Sequence, residues 1–298
     1  MRHLTTAALA ALALAAAAPA GAQPLPAAVI ADPPADAVHP TRNVQVLIPS
    51  GGVTMNAVLM QASGAGPHPT LVLLHGLPGN EQNLDLAQAV RRAGWNVLTL
   101  HYRGSWGSPG TFSLAHVLED ADAALAFVRG PEAAARYGVD TRRLVIGGHS
   151  MGGWASAMHA THDPDLAGVI LLDSMDAAGA GAGLKAVPAA QLASVAASRF
   201  DDLGSALGAI GPTDLAQELI ANGAGWSVVD RAARFGRTPT LVIGAQRAGG
   251  VYNHALAQAI AQAGGRVTDV TLPTDHPFSD HRIALEGLVV GWLQALPK

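Results

Sequence analysis

The chain has 298 residues, 49% of them hydrophobic and 13% charged, with 34 glycines and no cysteine. That composition supplies the core of one large or two ordinary globular domains, and the lack of cysteine excludes a disulfide framework or a lipid-modified cysteine. A net charge of -4 with no basic block leaves no electrostatic footprint for nucleic acid or an anionic membrane, so neither is an expected partner.

In chain order, the first segment is an address. Arg2 and His3 give a basic start, Leu4 to Ala18 an apolar run, and Ala20-Gly21-Ala22 a small-residue cleavage site before Gln23. Residues 1–22 therefore read as a secretory signal peptide. The run is shorter than the ~20 residues a bilayer span needs, and Pro19 ends it. The expected mature protein starts at Gln23, carries no stable membrane span and resides in the periplasm or the medium. Residues 23–43, with Pro24, Pro26, Pro33, Pro34 and Pro40, read as an extended lead-in without its own core.

The remaining residues, 44–298, form the expected folded domain. Val44 to Ile48 and Val53 to Met60, joined by Pro49-Ser50-Gly51-Gly52, predict a β-hairpin. Short apolar runs without strict alternation then predict strands buried on both faces at Thr70 to Leu74, Asn96 to His101, Leu144 to Gly148, Gly168 to Leu172, Thr240 to Gly244 and Arg266 to Leu272. Helical periodicity separates most of them, at Asn83 to Ala93, Leu114 to Arg129, Met151 to Ala160, Asn253 to Ala263 and Asp280 to Leu296. This alternation predicts an α/β fold, a doubly wound, mostly parallel sheet with helices on both faces. One interval, Ser174 to Arg237, is too long for a structureless loop and predicts a helical cap inserted between the sixth and seventh strands. Within it, the Gly and Ala alternation of Gly179 to Gly183 reads as a flexible hinge.

Gly148-His149-Ser150-Met151-Gly152 satisfies G-x-S-x-G between a predicted strand and a predicted helix. Such an elbow turns sharply on its glycines, lifts the Ser150 hydroxyl above the sheet and aims helix amides at the same point. Ser150 is the expected nucleophile. A serine hydroxyl needs an imidazole to take its proton, and the chain order implied by the family resemblance set out below, with the histidine last, leaves His276 and His281 as candidates. His276 precedes the last helix in a loop free to fold over the sheet edge, whereas His281 starts that helix beside Asp280 and Arg282. His276 is the expected base. His159 and His162, three apart at a helix end, have no third ligand nearby in sequence, so no metal and no other cofactor is inferred.

With His75-Gly76-Leu77-Pro78-Gly79 after the third predicted strand, Tyr102-Arg103-Gly104 after the fourth and Asp275-His276-Pro277-Phe278 after the eighth, the chain resembles the α/β-hydrolase family over about residues 44–298. The resemblance implies oxyanion-hole amides at Leu77 and Met151, a loop-bracing rather than proton-transferring His75, and a structural Arg103. It also implies a triad carboxylate, most often in a G-x-x-D loop after the seventh strand. Here Ala248 stands where that Asp is expected, in Leu241 to Gly250. Some relatives, notably pancreatic-type lipases, place the acid after the sixth strand, where this chain has Asp173, with Asp176 close behind. Asp173 is the expected acid, Asp176 and a Ser–His dyad the alternatives.

The resulting expectation is a serine hydrolase that cleaves an ester, or else an amide or peptide bond, of a small-molecule or acyl substrate. Acyl transfer on the same fold and a non-catalytic binding protein are the competing functions, the second kept open by the missing carboxylate. Trp154 and Trp226 are candidate walls for an apolar substrate group.

Overall fold

A computed structural model of the chain describes residues 24–204, 206–208 and 210–297. The expected signal peptide, 1–22, lies outside the described residues. In chain order the elements are α1 (Ala27–Ile30), β1 (Arg42–Ser50), β2 (Val53–Gln61), β3 (His68–Leu74), α2 (Leu84–Arg92), β4 (Asn96–Leu100), α3 (Leu114–Arg129), α4 (Pro131–Tyr137), β5 (Val139–His149), α5 (Met151–Ala160) and β6 (Gly168–Leu172). The insertion follows with α6 (Ala177–Lys185), α7 (Ala189–Arg199), α8 (Pro212–Asn222) and two 3-10 helices, Gly223–Trp226 and Val229–Phe235. The chain closes with β7 (Thr240–Ala245), α9 (Gly250–Gln262), β8 (Val267–Leu272) and α10 (Arg282–Ala295).

The eight strands form one sheet in the order β1-β2-β4-β3-β5-β6-β7-β8. β2 runs antiparallel to both neighbours, and β4 to β8 are parallel. Alternate residues of the apolar runs serve opposite faces. Val72, Leu74, Ile146, Val169 and Leu171 pack into the layer beneath α3, α5 and α9, while Leu71, Leu73, Val145, Ile170 and Leu172 pack against α2 and α10. Both faces being covered explains why these strands read as continuous hydrophobic stretches rather than as an alternation. β8 departs from that expectation. It is the sheet edge, paired with β7 alone among the described residues, and is half exposed along its length.

Two other expectations need correction. The lead-in is not purely extended, because α1 docks between α2 and α10 with Ala28 and Val29 on the second core layer, and Arg92 Nε donates to the Ala28 carbonyl at 2.6 Å. Nor is Gly179 to Gly183 a hinge, since it lies inside α6. The Asp176 carboxylate caps that helix by accepting from Gly179 N at 2.8 Å, and a Cβ on Gly181 would fall 2.3 Å from the Leu219 carbonyl oxygen of α8. The small residues serve close helix packing. No helix among the described residues is long and apolar enough to cross a membrane.

Candidate active site

Parallel strands deliver their C-terminal ends to one edge of the sheet, so the segments after β3, β5, β6, β7 and β8 converge there. After β5 the chain turns at Ser150, whose backbone (φ 55°, ψ -117°) lies in a region costly for a residue with a side chain, about 1–3 kcal/mol. Neighbouring segments hold it there. Ser150 N donates to the Leu172 carbonyl at 2.9 Å, and the Ser150 carbonyl accepts from Trp154 N and Met175 N, each at 3.0 Å. Glycine is required where backbones touch, since a Cβ on Gly152 would sit 2.2 Å from the Leu74 carbonyl oxygen and one on Gly76 would sit 3.0 Å from Ser150 Cβ. The turn carrying Leu77 is thereby pressed against the elbow. Met151 opens α5, so its amide is among the first four of the helix, which have no intrahelical acceptor.

His75, in that turn, is buried, and burial pushes its imidazole down to about 4. It is therefore neutral at pH 7. Its Nδ1 lies 2.7 Å from the Gly76 carbonyl, and Tyr102 donates its hydroxyl to the His75 carbonyl at 2.9 Å. Both bonds brace the loop.

Asp173 immediately follows β6, with a positive φ of 40° and 1% exposure. Its Oδ2 lies 2.5 Å from His276 Nδ1. The β7 loop surrounds the same carboxylate: Ala245 N donates to Oδ1 at 2.9 Å and Gly249 N to Oδ2 at 3.1 Å. These amides compensate for the water that a buried carboxylate loses. Gly249 permits the approach, since a Cβ there would lie 2.8 Å from Asp173 Oδ1. Asn253 of α9 ties the two loops together, accepting from Ser174 N at 2.9 Å and donating to the Ser174 and Gly249 carbonyls at 3.2 and 3.0 Å. With Nδ1 held by a carboxylate, the His276 ring keeps Nε2 as its basic nitrogen. Ser150 Oγ makes no hydrogen bond to it among the described residues; such contacts tighten when a substrate binds.

The sequence profile of the alpha/beta hydrolase family matches residues 71–285. The chain belongs to this family. Its curated relative in Arabidopsis thaliana, the alpha/beta hydrolase domain-containing protein WAV2, is 29% identical over 127 residues, a stretch covering 42% of this chain and 40% of the plant protein. Among solved structures, the carboxylesterase EstE1 from a metagenomic library superposes with a TM-score of 0.61 at 20% identity over 91% of this chain and 92% of that one. An esterase of Pyrobaculum calidifontis gives 0.60 at 16% identity, over 87% of each chain. Likeness at these identities establishes the alpha/beta hydrolase fold.

Within this alpha/beta hydrolase, the β7 loop supplies amides where an acid was expected, and Ala248 is solvent-exposed. The alternative acid, Asp176, is instead the α6 cap. His281 Nδ1 pairs with Asp280 at 3.0 Å, away from Asp173. Trp154 is not a pocket wall. It is fully buried, stands edge-on to Trp226 at 5.2 Å and donates its indole N–H to the Trp226 carbonyl at 3.2 Å.

Two site residues escaped the sequence reading. His149, the variable residue of the elbow motif, stands 4.4 Å from the His276 ring and has Nε2 2.9 Å from the His276 carbonyl. Burial pushes the His149 imidazole down to about 4, helped by the neighbouring His276, so neutral His149 donates that bond and steadies the His276 loop. Trp106 is the second. Its indole N–H donates to the Pro78 carbonyl at 2.7 Å and its backbone N to the cap's Ala206 carbonyl at 2.9 Å, linking the cap to the turn beside Leu77. Spacing carries no signal for either role, because each rests on a backbone carbonyl distant in sequence.

Proposed function

We propose that this alpha/beta hydrolase is a serine hydrolase of carboxylesterase type, cleaving an ester through an acyl-enzyme on Ser150. The observation that carries the reading is the Asp173 carboxylate held against His276 Nδ1 at the sheet edge where the strained Ser150 elbow also stands. His276 Nε2 takes the hydroxyl proton as Ser150 Oγ attacks the ester carbonyl, and the amides of Leu77 and Met151 donate to the resulting oxyanion, at about 3 kcal/mol each. The alcohol leaves with the proton held by His276. Water, losing a proton to the same nitrogen, then releases the acid and restores Ser150. The missing β7 carboxylate kept a non-catalytic protein open, and Asp173 from the β6 loop supports a working triad in its place. Residues 1–22 add export to the reading, with the mature chain beginning at Gln23, which N-terminal sequencing of the exported protein tests.

The functional test is hydrolysis of a chain-length-graded ester panel, with and without an alcohol or amine acceptor. Release to water without an acceptor is expected, and His276→Ala should lower it by several orders of magnitude while His281→Ala leaves it nearly intact. Turnover that appears only with an acceptor would identify a transferase, and none with any ester would sink the esterase reading.

A further inference from the structure

The far end of α5 carries a second cluster of functional side chains. His159 lies in the last turn of α5 and His162 just beyond it. The third member comes from α3, which packs beside α5: Asp122 Oδ1 is 2.5 Å from His159 Nδ1 and 3.4 Å from His162 Nε2. The acid beside the two histidines in sequence, Asp163, lies on the opposite nitrogen of His159, and the fold brings the third member from 37 residues upstream. All three ligand atoms lie within 4.8 Å of one another.

We propose that Asp122, His159 and His162 form a binding site for one divalent transition cation of the zinc class. Two imidazoles and a carboxylate are the donor set that Zn²⁺ takes, with a fourth position left to water. Bonds of ~2.0–2.1 Å in a tetrahedron put ligand atoms roughly 3.3 Å apart. The His162 to Asp122 separation of 3.4 Å already meets that, and the 2.5 Å contact must open by less than 1 Å, which Asp122, half exposed at the surface, is free to do.

The surroundings match a metal site in a second way. His159 is buried, and its other nitrogen, Nε2, lies 2.8 Å from Asp163 Oδ2, a carboxylate that also holds Arg129 at 2.7 Å. A carboxylate on the far nitrogen fixes the tautomer in which Nδ1 presents its lone pair, the arrangement that outer-shell partners give a ligating histidine. The cluster also sits at the C-terminal end of α5, where the helix dipole favours a cation. Since α5 has ten residues and so spans roughly 15 Å, the ion is too far from Ser150 to polarise a substrate. It would join α3 to the helix that Ser150 begins.

The rival account of the same contacts is a protonated His159 bridging Asp122 and Asp163 without any ion. Competition with a chromophoric zinc chelator at pH 7.5, using metal-stripped full-length mature protein, separates the two. One Zn²⁺ per chain is expected, with a Co²⁺-substituted spectrum of four-coordinate N/O type. His162→Ala and Asp122→Asn alter exposed side chains, so the fold should survive, checked by circular dichroism. Each should weaken uptake by more than the ~10–100-fold that loss of an outer-shell partner costs. Zinc uptake absent from the wild type, or equal in wild type and both variants, would overturn the proposal.

Discussion

Asp173 accepts two backbone amides from the β7 loop and meets His276 while almost wholly excluded from water. Its position therefore depends on groups that carry no charge of their own. Asp173→Asn should cut ester turnover by about 10⁴-fold at neutral pH, as loss of a triad acid does. Gly249→Ala tests the same geometry without touching any reacting group. Its new Cβ would lie 2.8 Å from Asp173 Oδ1, so the carboxylate must shift, and a displacement of that order should cost on the order of 10²-fold in kcat. Unchanged kcat in both variants would remove Asp173 from the site. At this scale the sequence was partly legible. Ser150 was marked by its glycines, and His276 by its place before the last helix. Asp173 was reached only through resemblance, because its partners lie more than 70 residues away, and the supports from Ala245, Gly249 and His149 involve backbone groups that every residue carries.

Among the elements, two further sets of hydrogen bonds join the Trp154–Trp226 contact in fastening the cap to the body. Segments 104–106 and 206–208 bond through Gly208 N to the Gly104 carbonyl at 2.6 Å and Trp106 N to the Ala206 carbonyl at 2.9 Å. At the other attachment, Glu218 of α8 accepts from Leu114 N and Ala115 N at 2.8 and 2.9 Å, while Ser113 Oγ accepts from His116 N at 3.0 Å. The cap's carboxylate thus satisfies open amides of α3 at the positive end of its dipole. Glu218→Ala should cost about 1 kcal/mol, seen as roughly fivefold faster amide exchange across α6 to α8 with the sheet unaffected. Equal exchange in variant and wild type would mean that the bond does not hold the cap. Strands and long helices were readable because their hydrophobic periods agree with their burial. α6 was misread because its composition, Gly and Ala, has no period; its helicity comes from the Asp176 cap and from packing against α8.

At the scale of the whole molecule, His75 and His149 are buried as neutral histidines, each held at about 4 against an ordinary 6.5. Between those values the unfolded chain binds protons that the folded chain refuses, so stability rises with pH from 4 to 6.5 and falls as the pH is lowered through that window. Denaturant midpoints measured over the window should show this slope. His149→Gln, which keeps an N–H to reach the His276 carbonyl, should reduce it by about one proton. A slope unaltered by the substitution would place the acid sensitivity elsewhere. The proposed nucleophile is one atom, Ser150 Oγ, and the most direct measurement is labelling of the protein with a fluorophosphonate followed by mapping of the modified peptide. One label per chain is expected, on Ser150, with neither label nor ester turnover in Ser150→Ala. Labelling of a different residue, or turnover that survives Ser150→Ala, would contradict it.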